Sequence, residues 1–404
     1  MLSLNTEHST VSDFIALNTS EIPYFSAYKP DIGFISSKAL KYRYFRNIIL
    51  IGNGGSNTSF NAIYNSLPHD REITVLTTNE ASVLRRLSGK YKKEDTLVLV
   101  ISKSGNTVSV IEAMLYFLNN NYDIIAVTSE GSNALRNIME KKGLDILPHP
   151  DIGGRFSANT SSALFPLALA GIDIAKLSAA MLRQYSQYNA NNANQPGTNQ
   201  PSTTQPAHEN SALKFAQTLF ALEQRSYTDV FVPVYSAGLV SFLPLITQLM
   251  HETFCKQGKG MTFFGSSAPE SQHHTNQRIF GGRKNLALVF LRLRTSTDER
   301  ISVSEDIAEV QLKDSAVSIL NGIPYDKALD FEFQGTYMHA IKQNIPAIVI
   351  TLDKLDEENI ASLVVFWQYA AVYSAWLRNI NPFDQPEVEY SKDISFKLRK
   401  EYPG

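Results

Sequence analysis

One cysteine, Cys255, stands in 404 residues. It can form no intrachain disulfide, so the disulfide-stapled secreted class is excluded. An excess of either charge is also missing: 37 Lys and Arg against 39 Asp and Glu leave a net charge of −2. Such a chain has no electrostatic footprint for nucleic acid or an acidic membrane. No signal-peptide pattern opens it, so a cytoplasmic protein is expected. Long uncharged runs are scarce. The stretch from Asn359 to Leu377 has no charged residue but holds Ser362, Gln368, Tyr369, Tyr373 and Ser374, which are costly in lipid. A helix buried in a large core is expected there.

What is present is a globular composition, with 43% hydrophobic residues and length for two or three domains. Asn47–Ile51, Ile73–Leu76, Thr96–Ile101 and Asp123–Thr128 are short runs rich in Val, Ile and Leu. They read as strands buried on both faces. Helical spacing lies between them, as in Val108–Leu118 and Asn133–Lys142, which predicts a parallel sheet with right-handed crossovers. Residues 185–210 are rich in Asn, Gln, Pro and Thr and read as a linker that cannot offset its own ordering entropy. The alternation restarts with strands at Asp229–Tyr235, Asn285–Leu291 and Pro346–Thr351. Helices are predicted at Leu239–Phe254, Ile301–Leu320 and Glu357–Asn379. The expected organisation is an N-terminal wrapping segment (1–46), a first α/β lobe (47–184), the linker (185–210) and a second lobe with C-terminal helices (211–404).

Five segments carry chemistry. Gly52-Asn-Gly-Gly-Ser-Asn57 follows a strand and precedes a helix, where glycines allow a tight turn and a helix N-terminus favours anions. Asn57 stands where a dinucleotide fingerprint needs glycine. Ser102-Lys-Ser-Gly-Asn-Thr107 places three hydroxyls and a glycine at a second such turn, without the Walker spacing. Two such turns in a parallel sheet point to a shared site for a phosphomonoester. Gly153-Gly-Arg-Phe-Ser157 offers the permanent charge of Arg155 to a developing oxyanion. Gln248 and Glu252 lie four apart on one helix face, and His273 and His274 follow. A carboxylate and a histidine near a phosphate suit proton transfer on a sugar phosphate. Zinc on His251, Glu252, His273 and His274 is the competing reading, disfavoured because H-E-x-x-H is absent and Cys255 is alone. In Asn381–Lys392, prolines set a rigid approach to a terminal helix that carries Lys392.

These residues resemble the glucose-6-phosphate isomerase family. Gly52–Ser56 is similar to its G-I-G-G-S turn, Ser102–Thr107 to its S-K-S/T-x-x-T loop and Gly153–Ser157 to its G-G-R-Y/F-S signature. Glu252 with Lys256 resembles E-S-x-G-K, Gln272-His273 the Q-H pair, and Asn381–Lys392 the segment N-x-F-D-Q-x-G-V-E-x-G-K. Cys255, Glu387 and Ser391 stand where that family has glycine. The resemblance implies two sugar-isomerase (SIS) lobes, each a mainly parallel sheet flanked by helices in an α/β three-layer sandwich.

The resemblance also implies an aldose–ketose isomerase needing neither metal nor nucleotide cofactor. Glu252 would be the base, Arg155 the enediolate stabiliser, His273 the ring-opening group, and Lys392 its assistant. Gly54, Gly55, Ser56, Ser102, Lys103, Ser104, Thr107 and Gln385 would surround the phosphate, and Gln248 would line the sugar. A homodimer is implied, with the histidine supplied across it. The alternatives are a relaxed isomerase that also takes mannose 6-phosphate, and a non-catalytic sugar-phosphate sensor on the same fold.

Overall fold

In a computed structural model of the chain, the described residues are 1–8, 17, 21–193, 210–294 and 297–403. They form two compact units. Unit 1 comprises the described part of Met1–Asp13 with Ala221–Val240 and Met261–Leu355. Unit 2 comprises the described part of Phe14–Phe220 with Ser241–Gly260 and Asp356–Gly404.

The chain opens with strand β1 (Leu2–His8), which belongs to unit 1. In unit 2, α1 (Ile32–Lys41) leads into β2 (Asn47–Ile51), α2 (Thr58–Tyr64), β3 (Ile73–Leu76), α3 (Ala81–Lys90) and β4 (Thr96–Ile101). Then come α4 (Val108–Asn119), β5 (Asp123–Ser129), α5 (Ala134–Lys141) and β6 (Ile146–His149). The sheet order is β3-β2-β4-β5-β6, all parallel. Every residue of β4 is buried, as a central parallel strand requires. One face packs on Val110, Met114 and Phe117 of α4 and Leu135 and Met139 of α5.

Helices α6 (Ser161–Leu169) and α7 (Ile174–Ala193) follow in unit 2, and then α8 (Ser211–Gln224). In unit 1, β7 (Asp229–Tyr235) comes first. After α9 (Phe242–Phe254), whose residues belong to unit 2, come β8 (Thr262–Ser267) and β9 (Leu286–Leu293). A short α10 (Glu305–Ala308), a hairpin of β10 (Gln311–Leu312) and β11 (Ser315–Ala316), α11 (Tyr325–Lys342) and β12 (Ala347–Leu352) complete unit 1. Its sheet runs β1-β12-β9-β7-β8, parallel except for β1, which pairs antiparallel with β12. Unit 2 closes with α12 (Glu357–Leu377) and α13 (Glu389–Glu401).

The fold class is as expected from the run of strands, but four local readings change. The linker expected from 185 begins no earlier than 194, because α7 continues to Ala193. Tyr185 is 1% exposed and its hydroxyl donates to Gln368 Oε1 (2.8 Å). Tyr188 is buried within 3.1 Å of Ser211 Oγ, so this stretch has the apolar anchors that composition alone hid. Residues 194–209 of the expected linker lie outside the described residues. The expected wrapping segment begins instead as an edge strand of the unit 1 sheet. Residues 241–260 and 356–404, placed in a second lobe by sequence order, are counted with unit 2.

The helix expected over Ile301–Leu320 is α10 and a hairpin. Lys313 takes φ +55°, a left-handed turn that no helix accommodates. The helix of that region is α11, which the sequence reading did not identify. One described helix, α12, is long and apolar enough to cross a membrane, and 83% of its apolar window is buried inside the protein. It packs on α7 and α9, as a core helix does.

Candidate active site

In unit 2 the chain direction along the sheet reverses between β2 and β4, where the crevice beyond the strand ends receives ligands in doubly wound sheets. The two glycine- and serine-bearing turns leave those two strands. A side chain on Gly52 would sit 3.2 Å from Ile101 O, and the Asn53 amide lies 3.0 Å from Ser109 Oγ. The turns are therefore neighbours. Ser102 and Thr107 hydroxyls lie 3.3 Å apart, Ser104 Oγ accepts from Asn106 N–H, and Lys103 pairs with Asp151 at 2.8 Å. Gly105 must be glycine: φ is +62°, and a Cβ would lie 1.8 Å from Asn133 Oδ1. Asn133, Thr160 and Asp356 cap α5, α6 and α12 with their side chains, whereas Asn57 and Thr107 leave α2 and α4 uncapped. Free N–H groups at a positive helix end suit an anion.

The glycine pair at 54–55 has a second task. A Cβ on Gly55 would lie 2.2 Å from the carbonyl carbon of Gly154, so the two loops pack backbone to backbone. Tyr24 OH accepts from Gly153 N–H (2.8 Å), pinning the second loop from the N-terminal side. This packing delivers Arg155, 2% exposed, into the interior.

Its guanidinium has five N–H groups and five acceptors. Nε donates to Thr253 Oγ1 (3.0 Å). Nη1 donates to Glu252 Oε2 (3.2 Å) and Gln385 Oε1 (2.7 Å), and Nη2 to Pro382 O (2.6 Å) and Asp384 O (3.0 Å). Burial pulls its pKa down, and Glu252 opposes that. Glu252 and Gln248 face one way on α9. Gln248 Nε2 donates to Glu252 Oε1 (3.0 Å), while Thr58 Oγ1 donates to Gln248 Oε1 (2.7 Å). Both carboxylate oxygens are thus engaged, and the side chain stays 25% exposed.

Lys256 completes the cluster. Its side chain is 8% exposed, and Nζ donates to Asn381 O, Asp384 O and Asp384 Oδ1, each at 2.6 Å. Burial lowers its pKa, with Asp384 opposing the shift. Arg155 and Lys256 together fix the loop 381–385 that presents Gln385.

The structure therefore joins Arg155, Gln248, Glu252 and Gln385 by hydrogen bonds, beside the turn carrying Gly54, Gly55 and Ser56. Ser102, Lys103, Ser104 and Thr107 form the adjoining turn. Lys392 is exposed on α13 and pairs with Glu389 (2.8 Å), with no hydrogen bond to this cluster among the described residues. His273 is exposed in a single helical turn, Glu270–His273, of unit 1, where Gln272 donates to Tyr235 OH and Glu332 O. Thr58, Thr253 and Asp384 were not singled out from sequence. Thr253 and Asp384 adjoin residues that were, but nothing marked Thr58.

The glycine departures are compatible with this geometry. Cys255 has φ −80°, and neither Glu387 nor Ser391 has positive φ. Among the described residues, no three His, Cys, Asp or Glu side chains cluster so as to hold a metal ion.

Two helix-flanked sheets, parallel but for the β1 edge, with a hydroxyl-rich turn at the switch point of one, make up the sugar-isomerase fold seen in phosphosugar isomerases. Over most of its length the chain is similar to proteins named glucose-6-phosphate isomerase. It is 28% identical over 380 residues to glucose-6-phosphate isomerase of Fusobacterium nucleatum, covering 87% of this chain and 79% of that one. Its fold matches a hypothetical protein from Thermus thermophilus (TM-score 0.79, 23% identity, 91% and 87% of the two chains). It also matches a glucose-6-phosphate isomerase from Chlamydia trachomatis (TM-score 0.70, 20% identity, 92% and 74%). No family model matches the chain.

Proposed function

We propose that this chain interconverts D-glucose 6-phosphate and D-fructose 6-phosphate through an enediolate, as an enzyme of glycolysis and gluconeogenesis. The observation that carries the reading is Glu252 held between Gln248 and Arg155 beside two uncapped helix N-termini. The phosphate sits against Ser102, Ser104, Thr107, the turn of Gly54, Gly55 and Ser56, and Gln385. Its binding energy positions the reacting carbons. Glu252 takes the proton from C2 and returns it to C1. Arg155 stabilises the negative oxygen between those steps by giving up one of its five protein acceptors. Gln248 holds the base and lines the sugar. His273 opens the ring with help from Lys392. Its exposure supports service to the partner subunit's pocket in a cytoplasmic homodimer. An intact base and oxyanion partner favour an enzyme over a sensor.

The test is a coupled assay for conversion of fructose 6-phosphate, with C2–H exchange of glucose 6-phosphate in deuterated water followed by NMR. Glu252→Gln should still bind substrate and lose exchange by about 10²–10⁴-fold, the range for general base catalysis. Exchange at the wild-type rate would overturn the assignment.

A further inference from the structure

The phosphate site read in unit 2 is made in two pieces, the turn 52–56 after β2 and the turn 102–107 after β4. The ladder that joins those strands ends at the pair Ile51 and Val100. Beyond it, no backbone hydrogen bond fixes one turn against the other. An anion gripped by both turns needs their separation fixed, because hydrogen bonds weaken steeply with distance and angle.

One side chain spans the gap. The Asn53 carboxamide donates from Nδ2 to Gly52 O and Thr77 O, and its Oδ1 accepts from the Ser109 hydroxyl, each at 3.0 Å. The opposite orientation would set Oδ1 against those two carbonyl oxygens. Thr77 follows β3, and Ser109 lies in the first turn of α4, the helix that the second turn opens. Asn53 thus leaves the middle strand of β3-β2-β4 and reaches the segments after both neighbours. Among the described residues, its contact with Ser109 is the one hydrogen bond between residues 52–57 and 102–109. Asn53 stands at the cap position of the helical turn Gly54–Ser56 and does not cap it. Its amide faces the neighbouring segments instead. The isoleucine of the resembled G-I-G-G-S turn could make none of these bonds.

We propose that Asn53 is a positioning residue of the phosphate site. It holds the turn 54–56 at a fixed distance from the N-terminus of α4, so that both grip one phosphate. The proposal rests on the reading of the two turns as one phosphate site. The phosphate is chemically unchanged between ground state and transition state, so its grip is uniform binding. Losing Asn53 therefore raises KM and leaves kcat.

The test compares the full-length wild type with Asn53→Ile and Ser109→Ala. Inorganic phosphate is the probe, its binding followed by phosphorus NMR and as competitive inhibition of turnover. Asn53→Ile should weaken phosphate about 3–10-fold, the worth of one neutral hydrogen bond, and raise KM by the same factor with kcat unchanged. Ser109→Ala is a small change on a half-buried helix position and cuts only the tie to α4. It should weaken phosphate likewise, and the double variant should lose no more than Asn53→Ile alone. Wild-type phosphate affinity in both single variants would overturn the proposal. So would additive losses, or a fall in kcat at unchanged KM, which would reduce Asn53 to a general support of the fold. A wild type that binds phosphate without isomerising would sink the isomerase reading alone, and the phosphate affinities would still decide Asn53. A wild type that binds no phosphate would overturn both.

Discussion

Arg155 Nη1 lies 3.2 Å from Glu252 Oε2, and the same nitrogen lies 2.7 Å from Gln385 Oε1. The proposed oxyanion partner thus bridges the proposed base and a phosphate-side amide. All five guanidinium N–H groups are occupied, so a substrate oxyanion must replace a protein acceptor. Glu252 and Gln385 share Nη1, while the backbone oxygens of Pro382 and Asp384 share Nη2. Arg155 is fixed by the other contacts while that exchange occurs.

Thr58 sets this arrangement from behind. Its hydroxyl fixes the Gln248 amide so that Nε2, not Oε1, faces Glu252. Thr58→Val should lower kcat about 3–10-fold, the worth of one neutral hydrogen bond, and leave KM unchanged. Thr58→Ser should restore kcat. Steady-state kinetics of the three forms checks this, and unchanged kcat in the valine variant would remove Thr58 from the chain of contacts.

Gly55 has no room for a methyl group against Gly154. Gly55→Ala should cost about 1–3 kcal/mol, as overpacking does, and should displace the Arg155 loop. Thermal melts would show the loss, and turnover should fall with it. An alanine variant as stable as wild type would contradict the backbone contact.

Lys256 holds two carbonyls and the Asp384 carboxylate. Lys256→Met keeps the length of the side chain but leaves those acceptors without their donor. A loss of about 1–3 kcal/mol is expected, together with reduced kcat as Gln385 and Arg155 lose their fixed loop. Denaturant melts and kinetics would test both. Retained stability and rate would reduce Lys256 to a surface cation.

His149 makes acid sensitivity predictable. It is 3% exposed at the end of β6, its Nδ1 donates to Pro150 O (2.7 Å), and burial holds its pKa down at about 4. The unfolded chain takes up this proton near pH 6.5, before the folded one. The stabilising contribution is therefore whole above pH 6.5 and is lost as pH falls toward 4, by about 3 kcal/mol. Melting temperatures between pH 7 and 4.5 should drop more steeply for the wild type than for His149→Asn. Parallel curves would exclude His149 as the cause.

Much of the framework was legible in local sequence. Parallel strands buried on both faces announce themselves as short runs of Val, Ile and Leu, as in β4, and glycine–serine turns at their ends mark the switch point. Gln248 and Glu252 could be placed on one helix face by their spacing alone. Helix α11 was missed because its mixed polar and apolar faces give weak periodicity, with Phe331 and Met338 exposed. The end of α7 was missed because anchors Tyr185 and Tyr188 sit among Asn and Gln.

By itself, then, the sequence determined the alternation of strands and helices, the two anion-ready turns and the chemical types available for proton transfer. These follow from periodicity, backbone freedom and side-chain chemistry, which act over a few residues. Only the tertiary structure decided that β1 completes the unit 1 sheet and that 241–260 and 356–404 join unit 2. It alone decided that Thr58, Arg155, Gln248, Glu252 and Gln385 meet. Those contacts span up to 230 positions, and no local propensity encodes them. They arise because a buried guanidinium must find five acceptors, and a buried loop must find donors, wherever the folded chain brings them.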